Sequence, residues 1–200
     1  MHLEPYVPEM IERNMIGTPL KTEAYRNGTK LSEQKTEYGS FVSDVPSNPN
    51  FLPKYIYANK GSSAIVTNDR MITFDSYDEK GNITQYTIQN GTPVSIIWGY
   101  NQTMPIAKIE NATNLEIEAL LGISLGAIDE SNLPNNLRAQ LPNTMVTTYT
   151  YLPLVGVSTI TDPKGQRQTF TYDSFGRLEF VKDNEGNTLS ANEYHYRTQN

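Results

Sequence analysis

The sequence predicts a mainly β protein, an antiparallel sheet of repeated β-hairpins interrupted by a short two-helix insertion. Three observations carry that reading. A turn signature, Asp-x-x-Gly, recurs as Asp78-Glu79-Lys80-Gly81, Asp162-Pro163-Lys164-Gly165, Asp173-Ser174-Phe175-Gly176 and Asp183-Asn184-Glu185-Gly186. The last three begin eleven and then ten residues apart, the interval of one strand plus one turn. The aromatic content is carried by 13 tyrosines against 6 phenylalanines and one tryptophan, and Tyr suits a half-exposed sheet face with its hydroxyl in water. Finally, the stretch from 114 to 141 breaks the strand pattern and takes up a helical period.

The turn chemistry supports a hairpin repeat. Asp at the first position bonds its own backbone two residues on, and Gly at the fourth adopts positive φ without steric cost. A type I turn followed by such a Gly closes a hairpin with a bulge. Pro163 has the φ that the second position requires. Asn27-Gly28 and Asn90-Gly91 are two further hairpin signals of the tight two-residue kind.

Taken in order, residues 8–14 read as a short helix with Pro8 in its first turn and Glu9 early. Residues 20–25 and 30–38 flank Asn27-Gly28 as a charged hairpin. Residues 43–50, rich in Pro and Asn, read as an irregular loop. Strands are expected at 54–58, 71–77, 82–88, 93–100 and 106–109. The run Val94-Ser95-Ile96-Ile97-Trp98 is the most apolar of them, so it is placed centrally and covered on at least one side. A helix is expected over 114–125, with Leu115, Ile117, Leu120, Leu121 and Leu125 on its apolar stripe and Glu116 and Glu118 early. A second runs over 134–141 with Leu137 and Leu141 one turn apart. Together they form an insertion of about 113–142 that packs on one sheet face. β structure resumes at Met145 and continues to Tyr196. No linker is rich enough in Pro, Gly or Ser to demand two domains, so residues 1–200 are expected to form one, with 1–60 its least certain part.

Composition removes several functions. A net charge of −6 opposes non-specific attachment to nucleic acid or an anionic membrane. Without cysteine, thiol catalysis, disulfides and Cys-based metal sites are excluded. No signal peptide and no apolar run of about 20 residues is present, so the chain is expected to be a cytoplasmic protein or, preferably, a piece of a longer exported one.

No catalytic constellation emerges. The two histidines, His2 and His195, cannot assemble a triad or a zinc site, and no nucleophile elbow, phosphate loop or dinucleotide fingerprint occurs. Glu116/Glu118 and Asp129/Glu130 read as helix-start charges and loop solvation rather than paired glycosidase acids. The Asp-x-x-Gly turns lack the alternating acids of a calcium loop. No cofactor or metal is expected. Tyr149/Tyr151, Phe170/Tyr172 and Tyr194/Tyr196 are spaced i, i+2, so each pair stands on one strand face. Cross-strand packing of these rings would form a stabilising ladder. An exposed ladder would instead be a stacking platform for sugars, which makes Tyr149, Tyr151, Tyr172, Tyr194 and Tyr196 the candidate ligand residues.

Phe170-Thr171-Tyr172-Asp173-Ser174-Phe175-Gly176-Arg177-Leu178 resembles the YD (Rhs) repeat, as does Tyr77-Asp78-Glu79-Lys80-Gly81-Asn82-Ile83. The turns at Asp162 and Asp183 match its Asp-x-x-Gly half. Blocks at 98–101, 105–112 and 149–156 are similar to bacterial Rhs-like proteins carrying a helical insertion before the terminal repeats. The resemblance spans about residues 74–112 and 145–196. It implies a non-enzymatic structural or interaction module, the terminal repeat segment of a large bacterial protein that is secreted or held at the cell envelope. It implies upstream repeats of the same polypeptide as partners, a carbohydrate or a surface protein as ligand, and open sheet edges that would pair into a homodimer. Self-cleavage of the kind known in toxin members needs leucine after the Asp-Pro-x-Gly motif. Here Gln166 follows Asp162-Pro163-Lys164-Gly165, so self-cleavage is not expected.

Overall fold

The computed structural model describes residues 6–41 and 50–195. Twelve strands form one antiparallel sheet whose order follows the chain: β1 (Lys21–Arg26), β2 (Thr29–Phe41), β3 (Asn50–Lys60), β4 (Arg70–Tyr77), β5 (Ile83–Ile88), β6 (Pro93–Gly99), β7 (Met104–Glu110), β8 (Met145–Leu152), β9 (Gly156–Thr161), β10 (Arg167–Tyr172), β11 (Leu178–Lys182) and β12 (Thr188–Ala191). Three short helices accompany it, α1 (Val7–Glu12), α2 (Asn114–Leu121) and α3 (Leu137–Gln140). None of the helices among the described residues is long and apolar enough to cross a membrane. By packing, the chain divides into two compact units, Met1–Ser95 with Ala112–Asn114, and Ile96–Asn111 with Leu115–Asn200.

In the first unit, Asn27 and Gly28 both take positive φ (50° and 77°), and Arg26 pairs with Thr29. That is the two-residue primed turn expected of this dipeptide. Asn90-Gly91 behaves differently. Gly91 N–H bonds to the Ile88 carbonyl and Ile88 N–H to that of Thr92, so the turn is the longer, bulged kind with Gly in its fourth place. Asn90 supplies a side-chain bond to Thr92 N–H rather than a residue of a tight turn.

β3 starts earlier than expected. Residues 43–49 lie outside the described residues, and Asn50 already belongs to the strand. Pro53 is tolerated because the β2–β3 register shifts beside it, between Glu37 and Tyr38, and the β3–β4 pairs begin only at Tyr55. A proline has no N–H to give the ladder, so a bulge is where it fits. α1 sits over this end, with the Tyr6 ring 5.5 Å from that of Phe51 and the Arg13 guanidinium 4.8 Å above it. Val94, Ser95, Phe51, Tyr57 and Met10 are buried here.

The core of the second unit holds Ile97, Ile106, Ala107, Ile109, Ile117, Leu137 and Val146, all at most 1% exposed. The apolar run of β6 therefore lies in the interior, as its composition predicts. The expected helix over 114–125 ends earlier. α2 stops at Leu121 because Gly122, at φ +68°, caps it in the left-handed region by donating to the Glu118 carbonyl. Leu125 arrives on a separate 3₁₀ turn (Leu125–Ala127), whose first N–H is held by the Glu118 carboxylate at 2.8 Å. The apolar stripe is corrected accordingly. Ile117 and Leu125 are buried, but Leu115 and Leu120 are 77% and 54% exposed. Leu137 and Leu141 are both buried as expected.

Candidate functional site

The four Asp-x-x-Gly turns are built alike. In each, the Gly N–H bonds to the Asp carbonyl: Gly81 to Asp78 at 3.0 Å, Gly165 to Asp162 at 3.0 Å, Gly176 to Asp173 at 2.9 Å and Gly186 to Asp183 at 3.1 Å. The glycines lie at φ +84°, +82°, +74° and +87°, where any Cβ would be strained. Each Asp Oδ1 accepts two backbone N–H groups, two and four residues on: Lys80 and Asn82, Lys164 and Gln166, Phe175 and Arg177, Glu185 and Asn187.

The residue after Gly completes the turn. Asn82, Arg177 and Asn187 each donate a side-chain N–H to Oδ2 of their Asp, and Gln166 joins its turn through its backbone N–H. The carboxylates thus serve the turns' own N–H groups. Among the described residues no group of three or more His, Asp or Glu could hold a metal ion. Glu130, expected to be loop solvation, instead accepts Tyr100 N–H at 2.5 Å. It thereby anchors the β6–β7 turn, where Tyr100, Asn101 and Gln102 all take positive φ.

Asp173 and Asp183 titrate accordingly. The Arg177 side chain, followed by the Arg177 and Phe175 N–H groups, holds the Asp173 carboxyl below its usual 3.8. The Asn187 amide does the same for Asp183. A folded-state value below the unfolded one adds stability above about pH 4, lost as pH falls through the lowered value. A side-chain carboxyl 13C titration should place the Asp173 midpoint below that of a free aspartate. Arg177→Ala should move it upward while leaving Asp183 in place. A midpoint unchanged by Arg177→Ala would contradict the assignment.

The tyrosines do something the sequence reading did not foresee. On the β3–β4 pair the ladder ends at Tyr55↔Thr73, and Tyr77 Oη donates to the Pro53 carbonyl at 2.6 Å, two residues outside it. On β7–β8 it ends at Ala107↔Thr148, and Tyr151 Oη reaches the Pro105 carbonyl at 2.8 Å. On β9–β10 it ends at Thr159↔Thr169, and Tyr172 Oη reaches the Val157 carbonyl at 2.7 Å. On β11–β12 it ends at Phe180↔Ala191, and Tyr194 Oη reaches the Leu178 carbonyl at 2.9 Å.

In all four, the accepting carbonyl lies two residues outside the last pair. The tyrosine lies three residues beyond its end of the pair, or four on bulged β4. Where the strands splay and the backbone bond is lost, a phenol replaces it. Burial pushes the Tyr77 hydroxyl well above its ordinary value, with Tyr38 adding to the shift. Tyr151 is raised for the same first reason.

Of the stacking candidates, Tyr151, Tyr172 and Tyr194 are therefore hydroxyl bridges. Tyr149 makes no such bridge, and Tyr196 lies outside the described residues. A ring-on-ring ladder is absent among the described residues at these positions. The nearest approach to it is Tyr100 against Tyr151, edge-on at 5.4 Å, with Tyr151 N–H donating to Tyr100 Oη. His195 is exposed, 3.5 Å from Glu193, and His2 lies outside the described residues. The signal that could have exposed the bridges was present in sequence: Tyr77 and Tyr172 each stand immediately before a turn aspartate.

A model of the RHS Repeat family matches residues 156–188. No curated protein matches the chain. Among solved structures, the chain is similar to TcdB2-TccC3 crystallised without its hypervariable C-terminal region, at 11% identity and a TM-score of 0.40, over 84% of this chain and 9% of that one. It is also similar to a Photorhabdus luminescens Tc holotoxin pore, at 12% identity and a TM-score of 0.38, over 91% of this chain and 10% of that one. The chain thus spans about a tenth of the length of the structures it matches. The matched segment runs from β9 through three Asp-x-x-Gly turns to the first residue of β12, and with its repeated turns and antiparallel hairpins this stretch, residues 156–188, is a YD/Rhs-repeat segment.

Proposed function

We propose that this chain is a non-enzymatic structural and interaction module, a run of repeat hairpins within a larger bacterial protein that is secreted or displayed at the cell surface. The observation that carries this reading is how the polar chemistry is spent. Turn carboxylates saturate turn N–H groups, and tyrosine hydroxyls saturate stray carbonyls. Groups used in this way stiffen hairpins rather than act on a substrate.

β1 and β12 stand at the two ends of the strand order. β12 is short, uncharged and exposed at all four residues, a surface open to strand addition. Its natural occupant is a further hairpin of the same series or, lacking that, a second copy. Light scattering at high concentration should therefore show self-association. Leu189→Lys, on β12, should reduce it without shifting the thermal midpoint. A clean monomer for the parent chain would count against a missing neighbour.

Sugar binding on the tyrosine faces is the second reading. It draws on Tyr194, which is 43% exposed with the Arg177 guanidinium 4.1 Å from its ring. Loss of ligand retention in Tyr194→Ala at unchanged stability would favour it.

A further inference from the structure

The two Asn-Gly turns of the first unit are held in opposite ways. At Asn90-Gly91 both partners of a side-chain-to-backbone reaction are occupied. The Gly91 N–H bonds to the Ile88 carbonyl at 2.8 Å, and the Asn90 carboxamide oxygen accepts the Thr92 N–H at 3.0 Å. At Asn27-Gly28 neither is occupied. The Gly28 N–H and the Asn27 carboxamide make no hydrogen bond among the described residues. Both residues are exposed, and beyond its chain neighbours nothing lies within 4 Å of where a Gly28 Cβ would stand.

The hairpins differ as well. β5, which leads into Asn90, is paired on both sides, with β4 and with β6. β1, which leads into Asn27, pairs with β2 alone and ends the strand order. A strand held on one side opens locally at lower cost than one held on two.

We propose that Asn27 is a site of spontaneous deamidation, which turns it into a mixture of aspartate and isoaspartate and loosens β1 from β2. The Gly28 nitrogen gives up its proton to base and attacks Cγ of Asn27. A bond forms between that nitrogen and Cγ, closing a cyclic succinimide, while the bond from Cγ to the carboxamide nitrogen breaks and ammonia leaves with a proton from water. Water then adds to either ring carbonyl and breaks its bond to the ring nitrogen, giving aspartate or isoaspartate. Water is the only co-reactant. Glycine favours the attack because no Cβ shields its nitrogen. Ring closure requires Asn27 to leave its left-handed conformation, at φ 50°, and the edge hairpin allows that where the doubly paired one does not. An aspartate product keeps the length of the backbone and tolerates positive φ. Isoaspartate instead inserts an extra carbon into the main chain between Arg26 and Thr29, the pair that closes the turn, and so breaks the register of the β1–β2 ladder. The inference is independent of the structural role proposed above, because the chemistry needs only this turn.

The test is incubation of the whole chain at mildly alkaline pH, followed by digestion at low pH and peptide mass spectrometry. Amide-to-acid conversion is expected about tenfold or more faster at Asn27 than at Asn90, the factor set by the two hydrogen bonds that Asn90-Gly91 must first give up. It should slow at mildly acidic pH, where less of the Gly28 nitrogen is deprotonated. Methyl transfer by an isoaspartyl methyltransferase should label the residue 27 peptide of the aged chain, and Asn27→Gln should remove that label. Backbone hydrogen exchange across β1 should be faster in the aged chain than in the fresh one. Asn27→Asp carries the new charge without the extra carbon and should exchange like the fresh chain. Conversion at Asn90 as fast as at Asn27 overturns the proposal. So does an aged chain whose β1 exchanges no faster than before, or an Asn27→Asp variant that exchanges as fast as the aged chain.

Discussion

Ile117→Ala should lower the unfolding free energy by about 2–5 kcal/mol, and Leu115→Ala by less than about 0.5 kcal/mol. Both leucine-sized side chains sit on α2 and look equivalent in an apolar-periodicity reading. Ile117 is fully shielded, in the same buried set as Ile97, Ile109, Leu137 and Val146, and Leu115 is 77% exposed. Removing the first leaves a cavity that the short helix must bridge, anchored at one end by Gly122 and at the other by Asn114, whose N–H is held by Gln85 at 2.8 Å. Removing the second leaves nothing behind. Urea denaturation followed by tryptophan fluorescence suits the test, because Trp98 lies in the same unit. Two compact units need not unfold in one step, so the loss is read in the transition that Trp98 reports. Equal costs for the two variants would mean that α2 covers the sheet with a different face.

The hairpin register was legible because its signals are local. An aspartate five residues before the strand resumes, with glycine between, closes the same bonds wherever it occurs, and all four turns come out as their sequence implies. β6 was legible because a run of Val, Ile and Trp has few places to go but inside. The α2 stripe was misread because Leu125 continues the helical period in sequence but reaches the core by another route, after Gly122 has already ended the helix. Asn90-Gly91 was misread because the dipeptide is shared by two turn types, and only Ile88 and Thr92, as bonding partners, decide between them. The tyrosine bridges were only half legible, for a different reason. Tyr77 and Tyr172 carry a local mark, standing just before a turn aspartate, but Tyr151 and Tyr194 do not, and where a ladder stops is a property of two strands at once.

Tyr→Phe substitution at the three interior bridges, Tyr77, Tyr151 and Tyr172, should cost about 1–3 kcal/mol each, with Tyr194→Phe well below them. The change keeps the ring and its packing, so only the hydroxyl bond is lost. A part-buried carbonyl of Pro53, Pro105 or Val157 is then left without the donor it had. The edge bridge from Tyr194 to Leu178 is more exposed, and water can replace the phenol there. Asn192, which donates side-chain N–H to the same carbonyl at 3.3 Å, also backs it up. Gly156→Ala offers a second approach to one bridge without touching its tyrosine. A Cβ at Gly156 would lie 2.6 Å from Tyr172 Oη and 3.1 Å from Cζ, so the ring must move off Val157. If the bridge holds the strand ends together, Gly156→Ala and Tyr172→Phe should be less than additive when combined, because each disrupts the same bond. Strict additivity would show that the hydroxyl contributes nothing beyond its contact, and the repeat would then owe its stability to turns and core alone.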